Sequence, residues 1–404
     1  MNRFLHSAII LLFGCLFSCN SSIEQKQELQ GNEHVSIEHA REIITPIEKR
    51  SPWISVAPDL RPYLPFNDTA TVSKKIGEFV EGPVSPAHPA AIGFKNTITT
   101  DVKENQNQLP DWRVFPVMVN IIFDNDIFNN TDYYYTNGAR IEIVLPAAKN
   151  SPVNKILLGL KSNDIDVSGF SIAQNIYTPV NPEANEIVYG DRPFAAYLTV
   201  GQFRESYNLK KRLQIKSALD LGVMGPMSLG EQVQSTVHEL EPSGWKYQVQ
   251  NSFLLNYYVK IEKGLYSSSK LELNAMGDMS IGTLYDKMGG GLRFRAGSFL
   301  PVYRGPMTIC CDRAKKRQLQ YWFFMSGKAD FIAYDATLQG SMFNDHSPYV
   351  ISSNELNRLV YQGSFGVALY YDNLGVELEN FYLSPEFEGA HHFKYGRIKL
   401  VANF

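Results

Sequence analysis

From Val114 onward the chain alternates apolar and polar residues with a period of two. Leu213, Ile215, Leu219 and Leu221 alternate with Arg212, Gln214, Lys216 and Asp220, and Phe253, Leu255, Tyr257, Val259 and Ile261 with Asn256, Lys260 and Glu262. Leu271 and Leu273, Leu292 and Phe294, and Val376 and Leu378 repeat the pattern further on. Such alternation places apolar side chains on one face of an extended strand and polar ones on the other. About twelve stretches qualify: 114–124, 136–147, 154–176 (interrupted), 193–205, 210–222, 248–263, 266–278, 289–299, 318–334, 358–371, 374–384 and 393–404. The last ends on Phe404, with Ile398, Leu400 and Ala402 sharing its face.

Strands of about ten residues suit a tilted crossing of a bilayer, and an even number of them suits a closed barrel with both ends on one side. The expectation is an all-β fold, a transmembrane antiparallel barrel of about twelve strands over residues 113–404. Tight turns are expected at 206–209, 264–265 and 372–373, on the periplasmic side by parity. Longer connections at 125–135, 177–192, 223–247 and 335–357 fall outside.

Composition narrows the picture slightly. The chain is 44% hydrophobic and 20% charged, with net charge −3. Those values exclude disorder and give no pull toward nucleic acid. No run of eighteen apolar residues marks a spanning helix. Residues 1–18 read as a secretion signal, with Arg3 ahead of an apolar stretch from Ala8 to Phe17. Leu16-Phe-Ser-Cys19 resembles a lipoprotein cleavage box, so lipidation at Cys19 is one expectation and an unmodified N-terminus the other. Residues 19–112, rich in Pro, Glu, Lys, Gln and Asn, read as an irregular extension, with a short helix conceivable near 36–47. Cys310 and Cys311 are adjacent, which strains a disulfide, and no Cys/His spacing indicates zinc.

Three external connections carry unusual polar groups. The segment from Asp124 to Gly138 offers carboxylates and amides, hard oxygen donors suited to Ca²⁺, although a polar hairpin loop explains it as well. Thr136 shares a strand parity with Arg140 and Glu142 and is expected to face the lumen. Asp191 and Arg192 read as a structural ion pair or turn. From Ser228 to Leu240 the period-two pattern breaks, and a short helix is expected in the external loop. Ser228 and Glu231 have capping-box spacing. Gln234 and His238 lie four residues apart, on one helix face. A lone histidine is usually structural, but one placed there titrates near neutrality and can deprotonate water. No G-x-S-x-G elbow supports a serine nucleophile. The economical chemistry is attack by water on an ester, with His238 taking the proton and a Ca²⁺ held partly by Asp126 polarising the carbonyl.

Several of these segments together resemble the outer-membrane lipid A 3′-O-deacylases. They are Asn125-Asp126, Tyr135-Thr-Asn-Gly138, Gln174-Asn-Ile-Tyr-Thr-Pro179, Gly190-Asp-Arg-Pro-Phe194, Leu221 to Pro226, and Gly230 to His238, in the family's order over roughly 112–404. The resemblance implies a twelve-stranded outer-membrane barrel whose active site comprises Asn125, Asp126, Thr136, Gln234 and His238, dependent on Ca²⁺. Glu241 would stand in for a further acidic residue of the family and serve as a metal ligand beside Asp126. The implied substrate is lipid A, within lipopolysaccharide of the outer leaflet, and the expected state is a monomer. One departure concerns residues 178–190, which hold Glu183 and Glu186 but no Lys or Arg where the family offers lysines. A substrate with less phosphate at that position is the corresponding expectation. Two other readings stand beside this one: a phospholipase in the same membrane, and a non-catalytic barrel serving as pore or scaffold.

Overall fold

The computed structural model describes residues 117–129, 131, 133–237, 243–304 and 319–404. His238, Glu241, all four cysteines and the N-terminal extension, with the helix expected near 36–47, lie outside them.

The described chain forms one closed antiparallel barrel in which each strand pairs with its sequence neighbours and the last pairs with the first. The strands are β1 (Met118–Asn125), β2 (Tyr134–Val144), β3 (Ile165–Thr178), β4 (Ala195–Asn208), β5 (Leu213–Met224) and β6 (Ser252–Ser267). They continue as β7 (Leu271–Gly282), β8 (Tyr285–Ser298), β9 (Leu319–Asp335), β10 (Leu359–Tyr371), β11 (Leu374–Leu383) and β12 (Phe393–Asn403). Closure leaves no unpaired edge, the condition for a sheet in lipid. Large apolar residues point outward and stay exposed, as on β10 with Leu359, Tyr361, Phe365, Val367, Leu369 and Tyr371. This outward apolar band is the lipid-facing surface of a membrane barrel.

The lumen is filled. Near the termini Trp322 stacks on Tyr370 at 5.0 Å between ring centroids, with the Arg295 guanidinium 4.4 Å from the Trp322 centroid. Ion pairs cross the middle: Lys216 lies 3.1 Å from Glu142 and 2.9 Å from Glu205, and Lys328 3.2 Å from Asp278. At the other mouth an aromatic cluster gathers Tyr135, Tyr177, Tyr197, Phe381 and Tyr395. That mouth carries the longer connections, and by the usual asymmetry of such barrels it is the external end.

Several boundaries differ from those read in the alternation. Residues 154–164 do not extend β3. Their apolar run belongs to short 3-10 turns, Pro146–Asn150 and Pro152–Lys155, and to irregular chain beyond them. Gly264 and Leu265 make no turn: β6 passes through them with a register shift between Gly264 and Tyr266, and the chain reverses at 268–270. The turn expected at 206–209 falls at 209–212.

Candidate active site on the outer wall

The end of β1 is locked from inside the barrel. Asp124 faces the lumen, where Arg397 Nε and Nη2 donate to its two carboxylate oxygens at 2.7 and 2.8 Å and the Tyr135 hydroxyl donates at 2.9 Å. Tyr135 folds over Gly138, whose missing side chain leaves the room: a Cβ there would sit 1.8 Å from the tyrosine oxygen. With Asp124 pointing inward, Asn125 points outward, opposite Asn137 of β2 and therefore on the same face.

Thr136 does not face the lumen. The β2–β3 ladder slips between Tyr135 and Asn137, so Thr136 is the extra residue of a bulge. Tyr135 pairs with Tyr177 on the lumen side, while Asn137 pairs with the outward Ile176. The Thr136 hydroxyl meets that of Thr178 at 2.7 Å, and Thr178 shares the outward parity of Ile176 and Gln174. The simple parity rule failed because one inserted residue inverts the alternation.

The connection between β5 and β6 covers this outer surface. Pro226–Ser228 form a 3-10 turn, Leu229 adopts a left-handed conformation (φ 61°), and α1 follows at Gly230–Val237. Ser228 is not a helix cap: its hydroxyl donates to the Gly225 carbonyl at 2.7 Å, and the left-handed Leu229 separates it from α1. The Ser228 carbonyl accepts from Gln174 Nε2 at 2.6 Å, tying the connection to β3. Gly230 lets α1 approach the wall, since a Cβ there would meet the Ala196 Cβ at 2.3 Å. Ile176, Phe194, Ala196 and Trp245 form a small apolar cluster, with Val233 of α1 packed against it. Within it, Trp245 Nε1 donates to Gln234 Oε1 at 2.7 Å, both side chains buried. Trp245 is the buried contact of Gln234 that the alternation does not reveal; a tryptophan after Gly244, in a polar stretch without period, is the available signal.

Asn125, Asn137 and Ile176 are successive ladder neighbours on the outside of the barrel near its external rim, Ile176 shares a cluster with Trp245, and Trp245 bonds Gln234. Asp126 sits one residue beyond Asn125, only 2% exposed, and one carboxylate oxygen accepts from the Tyr133 amide at 2.8 Å. Among the described residues no three His, Cys, Asp or Glu side chains cluster as a metal site. The donors present at the rim are the Asp126 carboxylate and the amide and hydroxyl oxygens of Asn125 and Thr136, which suit a hard cation rather than zinc or copper.

Asp191 and Arg192 form the turn alternative of the expectation and not an ion pair with each other. Asp191 accepts from the amides of Val180 and Arg192, both at 2.7 Å. The Arg192 guanidinium, 1% exposed, instead donates to Glu386 at 2.5 Å and to the Thr337 hydroxyl at 2.6 Å, and lies 4.3 Å from the Tyr177 ring centroid. Burial pushes the Glu386 carboxyl above its usual range, with Arg192 pulling the other way.

Comparison with known proteins points one way. The family model of the outer membrane protein LpxR matches residues 103–404. The solved structure of LpxR from Salmonella typhimurium is 20% identical, covering 71% of this chain and 100% of that one with a TM-score of 0.57. The β domain of the Bordetella autotransporter BrkA is less similar (7% identity, 72% and 98% covered, TM-score 0.36). So is the translocator domain of the autotransporter NalP from Neisseria meningitidis (8%, 73% and 90%, 0.34). No curated protein sequence matches.

Proposed function

Because the chain belongs to the LpxR outer membrane protein family, an integral barrel of the outer membrane, we propose that it is a lipid A deacylase. It would hydrolyse the ester that links the 3′ acyloxyacyl chain to the sugar. One observation supports this above others: Asn125, Thr136 and Gln234 each lie on the outer face of the wall near the external rim rather than in the lumen. A lipid of the outer leaflet presents its esters at that height and from that side.

In this reading His238, outside the described residues, takes a proton from water as the oxygen attacks the ester carbonyl carbon. It returns the proton to the sugar oxygen as the acyl C–O bond breaks, leaving a free acid and a sugar hydroxyl. Gln234, fixed by Trp245, and Thr136, fixed by Thr178, hold the reacting groups in place. Asp126 and Glu241 would hold Ca²⁺, which supplies positive charge for an oxyanion. A phospholipase would use the same residues, and the assay separates the two.

The test is mass spectrometry of lipid A and phospholipids from cells expressing the wild-type chain or His238→Ala, with and without calcium chelation. Loss of one acyloxyacyl mass, dependent on His238 and calcium, is expected. Unchanged lipid A with new lysophospholipid would replace this reading by a phospholipase. No lipid change from a folded barrel would leave a non-catalytic scaffold.

A further inference from the structure

The apolar band is not the same height around the barrel. On β10 outward apolar residues run from Leu359 to Tyr371, twelve residue steps. At a rise of ~3.4 Å and a tilt of ~40° this is about 31 Å, enough for a full hydrocarbon core. On β3 and β4 the band is cut from both ends. From the external side Gln174 is engaged by Ser228, and Ala196 is fully covered beneath α1 and Trp245. From the opposite side the connection between β2 and β3 folds back up the outside of the barrel.

That fold-back is built to satisfy outward polar groups. The Ser168 hydroxyl donates to Asn154 Oδ1 at 2.7 Å, Gln202 Nε2 to the Ala148 carbonyl at 3.0 Å, and the Ser217 hydroxyl to the Leu158 carbonyl at 2.8 Å. Tyr257, on the outer face of β6, donates to the Ile156 carbonyl at 3.0 Å and accepts from the Leu158 amide at 2.8 Å. Just below, Arg204 and Asp166 form an outward ion pair at 2.8 Å. Ile156 and Leu158 remain about half exposed, and Lys149, Lys155 and Lys161 are exposed beside them. Lysines that bracket apolar side chains belong at a headgroup boundary. Between Ser168 and Gln174, or Ala196 and Gln202, only six residue steps remain, about 16 Å by the same geometry. Two adjoining grooves, both lined by Ile141 and Ile172, run along this short stretch.

We infer that this wall, from β3 to β5, is an interaction surface for a locally thinned bilayer. The lipids there are shortened to about half the core thickness, whereas the β9–β10 side meets lipid of ordinary thickness. A short apolar surface is accommodated by thinning at fractions of a kcal/mol per Å. The patch lies directly beneath Gln174 and the α1 cover, so, on the deacylase reading, the substrate leaves its leaflet from disordered lipid beside the active site.

The test uses the full chain in dioleoylphosphatidylcholine vesicles, with a dansyl-bearing amino acid at Val200 or at Phe365, each near the middle of its band and each more than half exposed. Doxyl-labelled lipids report depth. The Val200 probe is expected about 8 Å from the nearest headgroups and quenched best by a label near the top of the chain. The Phe365 probe is expected about 15 Å deep and quenched best near the chain end. Equal depths for the two would overturn the inference. If the Val200 variant fails to fold, Leu221 on the outer face of β5 gives the same comparison. The measurement is made in His238→Ala as well, so it stands or falls independently of hydrolysis.

Discussion

Trp245→Phe removes one hydrogen-bond donor from the outer-wall site and little else. The ring keeps its apolar neighbours Phe194, Ile176 and Ala196, with Phe194 at 5.2 Å between centroids. What is lost is the 2.7 Å bond to Gln234 Oε1. Gln234 is 5% exposed, so its carbonyl cannot simply turn to water. A buried acceptor left without its donor costs about 1–3 kcal/mol. If that free energy is spent displacing Gln234 from its reactive position, kcat falls about 5- to 150-fold. The barrel itself should hold, because the indole packs against the outer-wall residues Ile176, Phe194 and Ala196. The assay is the rate of acyl loss from lipid A in detergent micelles, followed by mass spectrometry, with the gel mobility of unheated protein as a check of folding. A wild-type rate in Trp245→Phe, together with a strongly reduced rate in Gln234→Ala, would refute the claim that the indole positions the glutamine.

Three further expectations follow from the same geometry. Asp124→Asn leaves Arg397 without its bidentate partner and should cost about 3 kcal/mol in urea unfolding, at the low end for a broken buried pair because Arg397 keeps 31% side-chain exposure. Thr136→Val should lower kcat by more than the roughly 1 kcal/mol that losing its hydroxyl contact takes from unfolding stability; equal losses would make Thr136 merely structural. Glu183→Lys with Glu186→Lys should shift the preference toward lipid A that carries more phosphate. Glu183 and Glu186 are exposed on a segment anchored to the site cover by a hydrogen bond between Asn185 and Ser243. Competition between phosphorylated and dephosphorylated lipid A, with an unchanged ratio, would remove these glutamates from substrate selection.

Much of the architecture was legible because a barrel strand imposes one rule on every residue: neighbours alternate between lipid and lumen. Leu271, Leu273, Val376 and Leu378 obey it, and the twelve strands are in the places it gives. The rule breaks where a segment touches a third surface. Ile156, Leu157 and Leu158 look like strand but lie on the outer wall, their carbonyls bonded to Tyr257, Arg204 and Ser217. Thr136 lies in a bulge, and no local pattern distinguishes Thr-Asn-Gly in a bulge from the same residues in register. The start of β8 was set late because Asp286 and Lys287 hid it; Asp286 is spent on the Gly282 amide of the reversal before it. Asp126 and Gln234 stand out in the sequence as polar residues in external connections and Asn125 through the resemblance, whereas Trp245, which donates to Gln234, carries no such signal of its own.

The Arg192 contact has a consequence for assembly. Its guanidinium comes from the connection between β3 and β4, but its carboxylate partner, Glu386, belongs to the last connection of the chain, and Thr337 to one between them. A buried guanidinium without its directly bonded carboxylate is costly, so the external mouth gains that bond only when the final hairpin has arrived. Lumen-side Asp124 makes the same demand of Arg397 in β12, and the backbone of β1 waits on that strand too. Early chain therefore carries unmet charges that only late chain can answer. A barrel stalled before its twelfth strand would leave the backbone of β1 and the Asp124 carboxylate without the partners that β12 supplies, which favours completion.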